Sequence, residues 1–359
     1  MMLAAGGAAA QSSVTLYGVV DTFVQYLDNG GAHSFSERSG GNTGSMFGLK
    51  GAEDLGNGTK AIFDLESGFN ANNGAFFVDS SKLFVRQSWV GFSNGRYGQL
   101  TFGRQYEPTF WVAYYGDPFR GNELLSPFSA EVVATDKKTL ATGVAAGRVD
   151  NSIVYQSPTL AGFKLYALYA FPTSATQPVP STSGSTLDLA VTYNGYGFYA
   201  GAAYQNQHAG TETLPGLPGA LNVLATEHFT GALAYRLGIV NFQFTYTYSR
   251  PKDAPAGSLA ALLGAGHSVS SAELGATVQL TSVDTIEVAG IERNVRGTHD
   301  NTPGFEIGAD HNISKRTTLY MRAGYLKNNG SATVSWPGVA VTQPDASQTL
   351  VVLGMTHRF

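Results

Sequence analysis

From Ser12 to the last residue the chain alternates apolar and polar positions with a period of two. In LGIVNFQFTYTYSR, Val240, Phe242, Phe244, Tyr246 and Tyr248 take one face, and Asn241, Gln243, Thr245, Thr247 and Ser249 the other. SAELGATVQL sets Ala272, Leu274, Ala276, Val278 and Leu280 against Glu273, Gly275, Thr277 and Gln279. GFEIGADHNI and TTLYMRAGY repeat the pattern, with Phe305, Ile307 and Ala309 in one and Leu319, Met321, Ala323 and Tyr325 in the other. Side chains of a strand point alternately to its two faces, so each segment predicts a strand with one apolar and one polar face. No run of helical period competes with them; the helix-like stretches fall in long connections.

The connections alternate as well. Short turn signals stand at 53–58, 93–98, 157–162, 194–197, 236–238, 281–284 and 314–317. Longer polar loops fall near 27–44, 70–80, 105–147, 171–185, 207–226, 251–267, 295–303 and 328–346. The count is about sixteen strands joined by short and long links in turn. Strict alternation puts the long loops at one end, and an even strand number puts both chain ends at the other. The expected fold is all-β: a transmembrane β-barrel of about 16 antiparallel strands, with short periplasmic turns and long extracellular loops. Its apolar face meets lipid, its polar face lines a lumen, and closure removes edges that lipid cannot satisfy. Strands of roughly 9–11 residues use about 150–180 residues, which the 359 present supply with room for loops. A barrel of this size is too wide for side chains to fill and holds water.

Composition narrows the picture. Charged residues are only 13% and aromatics 12%, with 21 Phe and 18 Tyr against 3 Trp. Such aromatic content is unlike a disordered chain, and Tyr17, Tyr26, Tyr155, Tyr169, Tyr193, Tyr235, Tyr248 and Tyr325 at strand ends suit interfacial girdles. There is no run of about 20 apolar residues to make a membrane helix. With 22 Lys+Arg against 26 Asp+Glu the net charge is −4, which argues against a nucleic-acid partner. The chain has no cysteine, hence no disulfide or thiol chemistry. The seven His are scattered without metal-ligand spacing, and no phosphate-cradling loop or nucleophile elbow occurs, so no metal, cofactor or catalytic residue is expected. Ala8, Ala9 and Ala10 before Gln11 look like a signal cleavage site. Residues 1–10 read as the truncated remnant of a secretory signal, and 11–359 as one barrel domain.

The residues also resemble a known family. SSVTLYGVVDT at 12–22, FGLKGAEDLGNGTKAIFDLESGF at 47–69, LFVRQSWVGFSNGRYGQLTFGRQ at 83–105, NSIVYQSPTLAGFKL at 151–165, SKRTTLYMRAGYLKN at 314–328 and the terminal LGMTHRF resemble blocks of the general porins of β-proteobacteria. The resemblance implies a homotrimeric channel in the cell outer membrane for passive diffusion of small hydrophilic solutes and ions. It also implies that the third long loop folds into the barrel. That loop's aromatics, Phe110, Trp111, Tyr114, Tyr115, Phe119 and Phe128, suit a packed, folded-in segment. Phe359, which shares a face with Val351, Leu353, Met355 and His357, resembles the signal read by the outer-membrane assembly machinery. Lipid and lipopolysaccharide are the remaining expected partners.

A pore of this kind works through its bore and the charges at its narrowest point. Arg86 reads as mid-strand, and an Arg facing lipid near the midplane costs about 2–4 kcal/mol, so a lumen position is expected although Val90 and Phe92 share its parity. The resemblance gives Arg86 and Arg148 pore-lining roles. Lys50 shares a face with Met46 and Gly48 and is expected in the lumen too; Met46 stands where the family often has Arg. Opposite them the third loop offers Glu107, Asp117 and Glu123, with Arg120, Glu131 and Asp136 alongside. The expected constriction is Lys50, Arg86, Arg148, Glu107, Asp117 and Glu123, with a weak preference for anions. Asp21, Asp64 and Glu66 read as solvated lumen charges, and Arg104 as an anchor for the loop's start. The alternatives are a solute-specific porin, an outer-membrane barrel enzyme, and a surface adhesin.

Overall fold

All four alternating segments quoted above are strands in the computed structural model, which describes residues 13–77, 79, 81–132, 147–172, 184–208, 210–212, 221–223, 225–253 and 266–359. The signal-like residues 1–10 and the candidate Asp136 lie outside the described residues. The strands are β1 (Ser13–Asn29), β2 (Ala32–Ser39), β3 (Met46–Gly56), β4 (Thr59–Gly68), β5 (Gln87–Asn94), β6 (Gly98–Tyr106), β7 (Arg148–Gln156), β8 (Phe163–Ala170), β9 (Thr186–Gly195) and β10 (Phe198–Gln207). After a short hairpin, β11 (Gly210–Glu212) and β12 (Leu221–Val223), come β13 (Ala225–Leu237), β14 (Val240–Asp253), β15 (Val269–Gln279), β16 (Asp284–Val295), β17 (Asn301–Asn312), β18 (Thr317–Lys327) and β19 (Ser347–Arg358).

All but β11 and β12 belong to one antiparallel sheet in which strands adjacent in sequence pair, save that β2 and β3 both pair with β1 and β10 pairs with β13. The sheet closes where β1 pairs with β19, from Val19 opposite Arg358 to Asn29 opposite Gln348. Beyond that register Gly18 and Phe359 exchange backbone hydrogen bonds of 3.1 and 3.0 Å. A β-carbon at Gly18 would collide with the Phe359 ring, so the bare glycine lets the last residue seal the seam. The sheet's seventeen segments fill sixteen positions around the barrel. β2 and β3 share one of them: β2 pairs with β1 from Thr22 to Asn29, and β3 pairs with it from Ser13 to Val19.

That division corrects the first loop. The segment expected to be a long connection at 27–44 is a hairpin turning at Gly30 and Gly31, both left-handed, followed by a jog at residues 40–45. The jog is tied to Asp21, which is fully buried rather than solvated. Its carboxylate accepts hydrogen bonds from the Gly41 amide (2.7 Å), the Asn42 amide (3.2 Å), the Thr43 amide (3.3 Å), the Tyr320 hydroxyl (2.7 Å) and the Thr356 hydroxyl (2.5 Å). The expected loop at 295–303 is likewise short, spanning 296–300 between β16 and β17. Long and short links therefore alternate less strictly than the sequence suggests.

The outer face carries exposed apolar residues along strand after strand, among them Leu16, Val24, Phe92, Leu233, Leu319 and Leu353. So wide an apolar surface has no place in water and matches a lipid-facing belt. The lumen face is mostly polar, but it carries apolar patches where loops pack on it: Ala190, Tyr199, Ala203, Ala232 and Ala234 form one with Val112 of the third loop. Phe23, Leu27, Tyr320, Leu326, Leu350 and Val352 point inward and join Leu125, Ala130, Val334 and Trp336 in a buried cluster. Val334 and Trp336 belong to the loop between β18 and β19, so this eighth loop turns into the barrel instead of standing clear of it. Hydrogen bonds from Asn328 Nδ2 to the Val334 carbonyl (2.9 Å) and from Arg38 Nη2 to the Pro337 carbonyl (2.8 Å) hold it there.

The third loop also turns inward. It contains α1 (Pro108–Gly116) and α2 (Pro127–Val132). Pro108 suits the first turn of a helix, where its missing N–H leaves no bond unmade. The helix lies on the inner wall formed by β9, β10, β13 and β14, while α2 packs on β15, β16 and β17. Gly116 makes that approach possible: a β-carbon there would strike Thr245 and Ala232.

Candidate functional site

Arg86 closes the second loop, one residue before β5 begins. Its side chain is therefore free of the strand's alternation and turns inward even though it shares parity with the outward Val90 and Phe92. The backbone is fixed by the Arg86 amide donating to the Glu66 carbonyl at 3.1 Å. The guanidinium is nearly enclosed, with 8% of the residue exposed. Its Nε donates to Glu66 Oε1 at 2.5 Å, its Nη2 to the Tyr106 hydroxyl at 3.1 Å, and its Nη1 reaches Glu123 at 3.3 and 3.4 Å.

Arg148 approaches the same acid from the first residue of β7. Its Nη2 pairs with Glu123 Oε1 at 2.7 Å, its guanidinium carbon lies 4.2 Å from the Tyr106 ring centroid, and it donates to the Tyr106 hydroxyl. Tyr106 in turn stacks on Phe110 at 4.5 Å, which joins the wall to α1. Glu123 is thus clamped between two wall arginines. Burial works to raise its carboxyl, and Arg148 and Arg86 overcome that to hold it at about 2. Two arginines and two carboxylates, Glu66 and Glu123, make this cluster charge-neutral. The alternation of the sequence offers Glu66 no such partner, because the contact joins β4 to the end of a loop.

Lys50 lies on the same stretch of wall. It is exposed to the lumen, its ammonium 4.8 Å from the Tyr17 ring centroid. The Tyr17 hydroxyl donates to Asp64 at 2.7 Å and to Glu66 at 3.2 Å, which links Lys50's neighbourhood to the Arg86 cluster. Glu107 and Asp117 do not reach that cluster. Glu107 is buried behind the loop at the start of α1, its Oε2 without a hydrogen-bond partner among the described residues. Desolvation, and then the nearby Asp188, push its carboxyl up to about 8. Asp117 is fully buried and organises the loop: it accepts from the amides of Phe119 and Gly121 and from the Ser126 hydroxyl, each at 2.7 Å. Burial raises its carboxyl as well. Arg104 anchors the loop's start, donating to the Val85 carbonyl at 2.5 Å and to Asp150 at 2.6 Å.

Across the lumen Arg322, on the polar face of β18, pairs with Asp310 at 2.7 Å and with Glu287 at 3.7 Å. Between the two walls the tip of the third loop, Pro118 to Glu123, borders an open chamber also lined by Arg86, Thr285, Asp310 and Arg322. The arrangement is a polar channel narrowed by a loop and flanked by guanidinium–carboxylate pairs. Among the described residues no group of acids and histidines could hold a metal ion.

Comparison with known proteins agrees in fold and kind. The Gram-negative porin family profile matches residues 1–331. An outer membrane porin protein of Bordetella pertussis is 28% identical over 99% of this chain and 96% of its own. Outer membrane porin protein 32 of Delftia acidovorans is 28% identical over 100% of this chain and 97% of its own. Among solved structures, an anion-selective porin from Comamonas acidovorans superposes with a TM-score of 0.80 at 27% identity, covering 97% of this chain and 100% of that one. The trimer form of OmpT from Vibrio cholerae, at 15% identity, covering 97% of this chain and 99% of that one, with a TM-score of 0.67, shares the fold.

Proposed function

Because the chain belongs to the Gram-negative porin family, we propose that its channel passes small hydrophilic solutes with a mild preference for anions, filtered where the third loop meets the wall at Arg86, Arg148 and Glu123. The protein is an outer-membrane channel and not an enzyme. The observation that carries the filter is Glu123 itself, reaching from the inward loop to both arginines at 2.7 and 3.3 Å. A charge bound this closely to its opposite acts on passing ions as a dipole, so these pairs support a mild bias. The similarity to an anion-selective porin supports its sign. Lys50 adds a base on the adjoining wall, and the neutral Met46 beside it keeps the bias weak.

Reversal potentials in a salt gradient across planar bilayers test the reading. Wild type should favour anions. Arg86→Ala and Arg148→Ala should each lower the anion/cation permeability ratio, since each leaves a carboxylate uncompensated. Arg250→Ala, far out on β14, should leave it unchanged. A wild type that favours cations would overturn the anion preference.

The finer partners follow the family. The barrel is proposed to work as a homotrimer, with lipopolysaccharide against its apolar belt. Phe359, at the closing seam and half exposed, is the proposed point of reading by the assembly machinery.

A further inference from the structure

Arg86, Arg148 and Arg322 are each paired with carboxylates. Arg120 is different. It is exposed at the tip of the third loop and, among the described residues, forms no ion pair. Its backbone is left-handed, with φ 54°, a conformation that an ordinary side chain seldom adopts. The loop enforces it: the Arg120 amide donates to the Asp117 carbonyl at 3.0 Å, and the Asp117 carboxylate holds the amides on either side, Phe119 and Gly121. The Asp117 carbonyl is itself tied to the far wall by Gln243 Nε2 at 3.0 Å. The loop thus spends an unusual turn to present one unpaired guanidinium. Strain of this kind tends to collect at functional positions.

Arg120 also stands at a junction. It lines the chamber bordered by Arg86 and Arg322, and it lines a second one that runs along Tyr115, Gln243 and Arg236 toward the short turns. Arg236, beside the turn after β13, and Arg358, at the end of β19, are exposed and likewise form no ion pair among the described residues. Of the acids lining the same chamber, Glu123 is paired with Arg86 and Arg148, and Asp310 and Glu287 with Arg322 at 2.7 and 3.7 Å; Glu287 also attracts Arg120 from beyond ion-pair distance.

We propose that Arg120 is a further charge-selecting residue of this pore, beside Arg86 and Arg148, and that Arg236 and Arg358 continue its attraction for small anions, chloride and carboxylates, to the short-turn mouth. The proposal rests on the anion-preferring reading above and adds to its wall pairs a group on the loop itself. The Arg86–Arg148 cluster is balanced by Glu66 and Glu123, and Arg322 faces two carboxylates, Asp310 and Glu287; Arg120 presents a positive charge bound to no carboxylate, and such a charge reaches furthest into water. Its planar fork also suits a carboxylate.

The experiment compares reversal potentials of wild type, Arg120→Asn and Arg120→Lys in planar bilayers. Asn tolerates a left-handed backbone, so the loop should keep its shape. At about 0.1 M salt Arg120→Asn should lower the anion/cation permeability ratio about three-fold, and the effect should shrink near 1 M, where the screening length falls to about 3 Å. Arg120→Lys should keep most of the ratio. The chain has no cysteine, so Arg120→Cys can be recharged within inserted channels. A positively charged methanethiosulfonate should restore the ratio, and a negatively charged one should depress it further, whether or not the substitutions disturb folding before insertion. An unchanged ratio in Arg120→Asn, an equal loss in Arg120→Lys, or adducts of opposite charge acting alike would each overturn the proposal. A cation-preferring wild type would remove the anion reading, yet the direction of these shifts would still decide whether Arg120 selects charge.

Discussion

Among the described acids of the third loop, Glu107, Asp117 and Glu123, only Glu123 has its carboxyl lowered, because it faces two guanidiniums from a half-buried position. A carboxylate held at about 2 stays ionised through the range where ordinary acids titrate, and its pairing is lost only as the pH falls toward 2. Glu123→Gln should therefore raise the anion/cation ratio at neutral pH. Its difference from wild type should stay constant down to pH about 4 and close only below that, read from reversal potentials. Glu107 runs the other way. A carboxyl raised to about 8 is protonated in the folded protein, so its burial costs little at low pH and destabilises as pH rises from the usual carboxylate range through 8. Glu107→Gln, which copies the neutral form, should make the detergent-solubilised protein more heat-resistant than wild type at pH 9 and no different at pH 5. Asp21 holds three buried donors, the Gly41 amide and the Tyr320 and Thr356 hydroxyls, and the half-buried amides of Asn42 and Thr43, and replacing it with Ala would orphan them. About 3 kcal/mol or more of stability should be lost, visible as a lower unfolding temperature.

Among the elements, the strands were legible because lipid on one side and water on the other impose a strict period of two. Loops obey no such rule, since what decides their course is a partner far away in sequence. Arg86 shows this on a small scale: its parity was wrong for a lumen residue until the structure placed it just before β5. The first loop reads as polar, yet most of it is strand, 27–29 in β1 and 32–39 in β2, because β1 runs long enough to pair with β2. The eighth loop reads as a polar connection, and only the packing of its Val334 and Trp336 with Phe23, Leu326 and Leu350 reveals an inward fold. Of the six constriction candidates, Arg86, Arg148 and Glu123 come together. Lys50 stands beside them, and Glu107 and Asp117 serve the loop's own structure, since sequence cannot say which side of a loop faces water. Trp336→Ala should cost about 3–5 kcal/mol of local packing and free the eighth loop. Single-channel conductance should then rise while the permeability ratio stays put, which separates bore from charge.

For the whole molecule, circular dichroism in detergent should be mainly β, and unheated gels should show a trimer that boiling dissociates. An epitope inserted at Val341, exposed on the eighth loop, should be reachable on intact cells, whereas one at Lys315 between β17 and β18 should not; the reverse would mean an inverted barrel. The seam of β1 against β19 also governs how the chain becomes a barrel. The first strand made must wait for the last, so every shorter intermediate carries two open edges. Open edges recruit strands from other chains, and a pairing between the two ends of so long a sequence forms slowly. The hazard is greatest in the interval between synthesis and arrival at the membrane, when the outer belt is also bare. A copy lacking its final strand would be no smaller pore but a seed for aggregation.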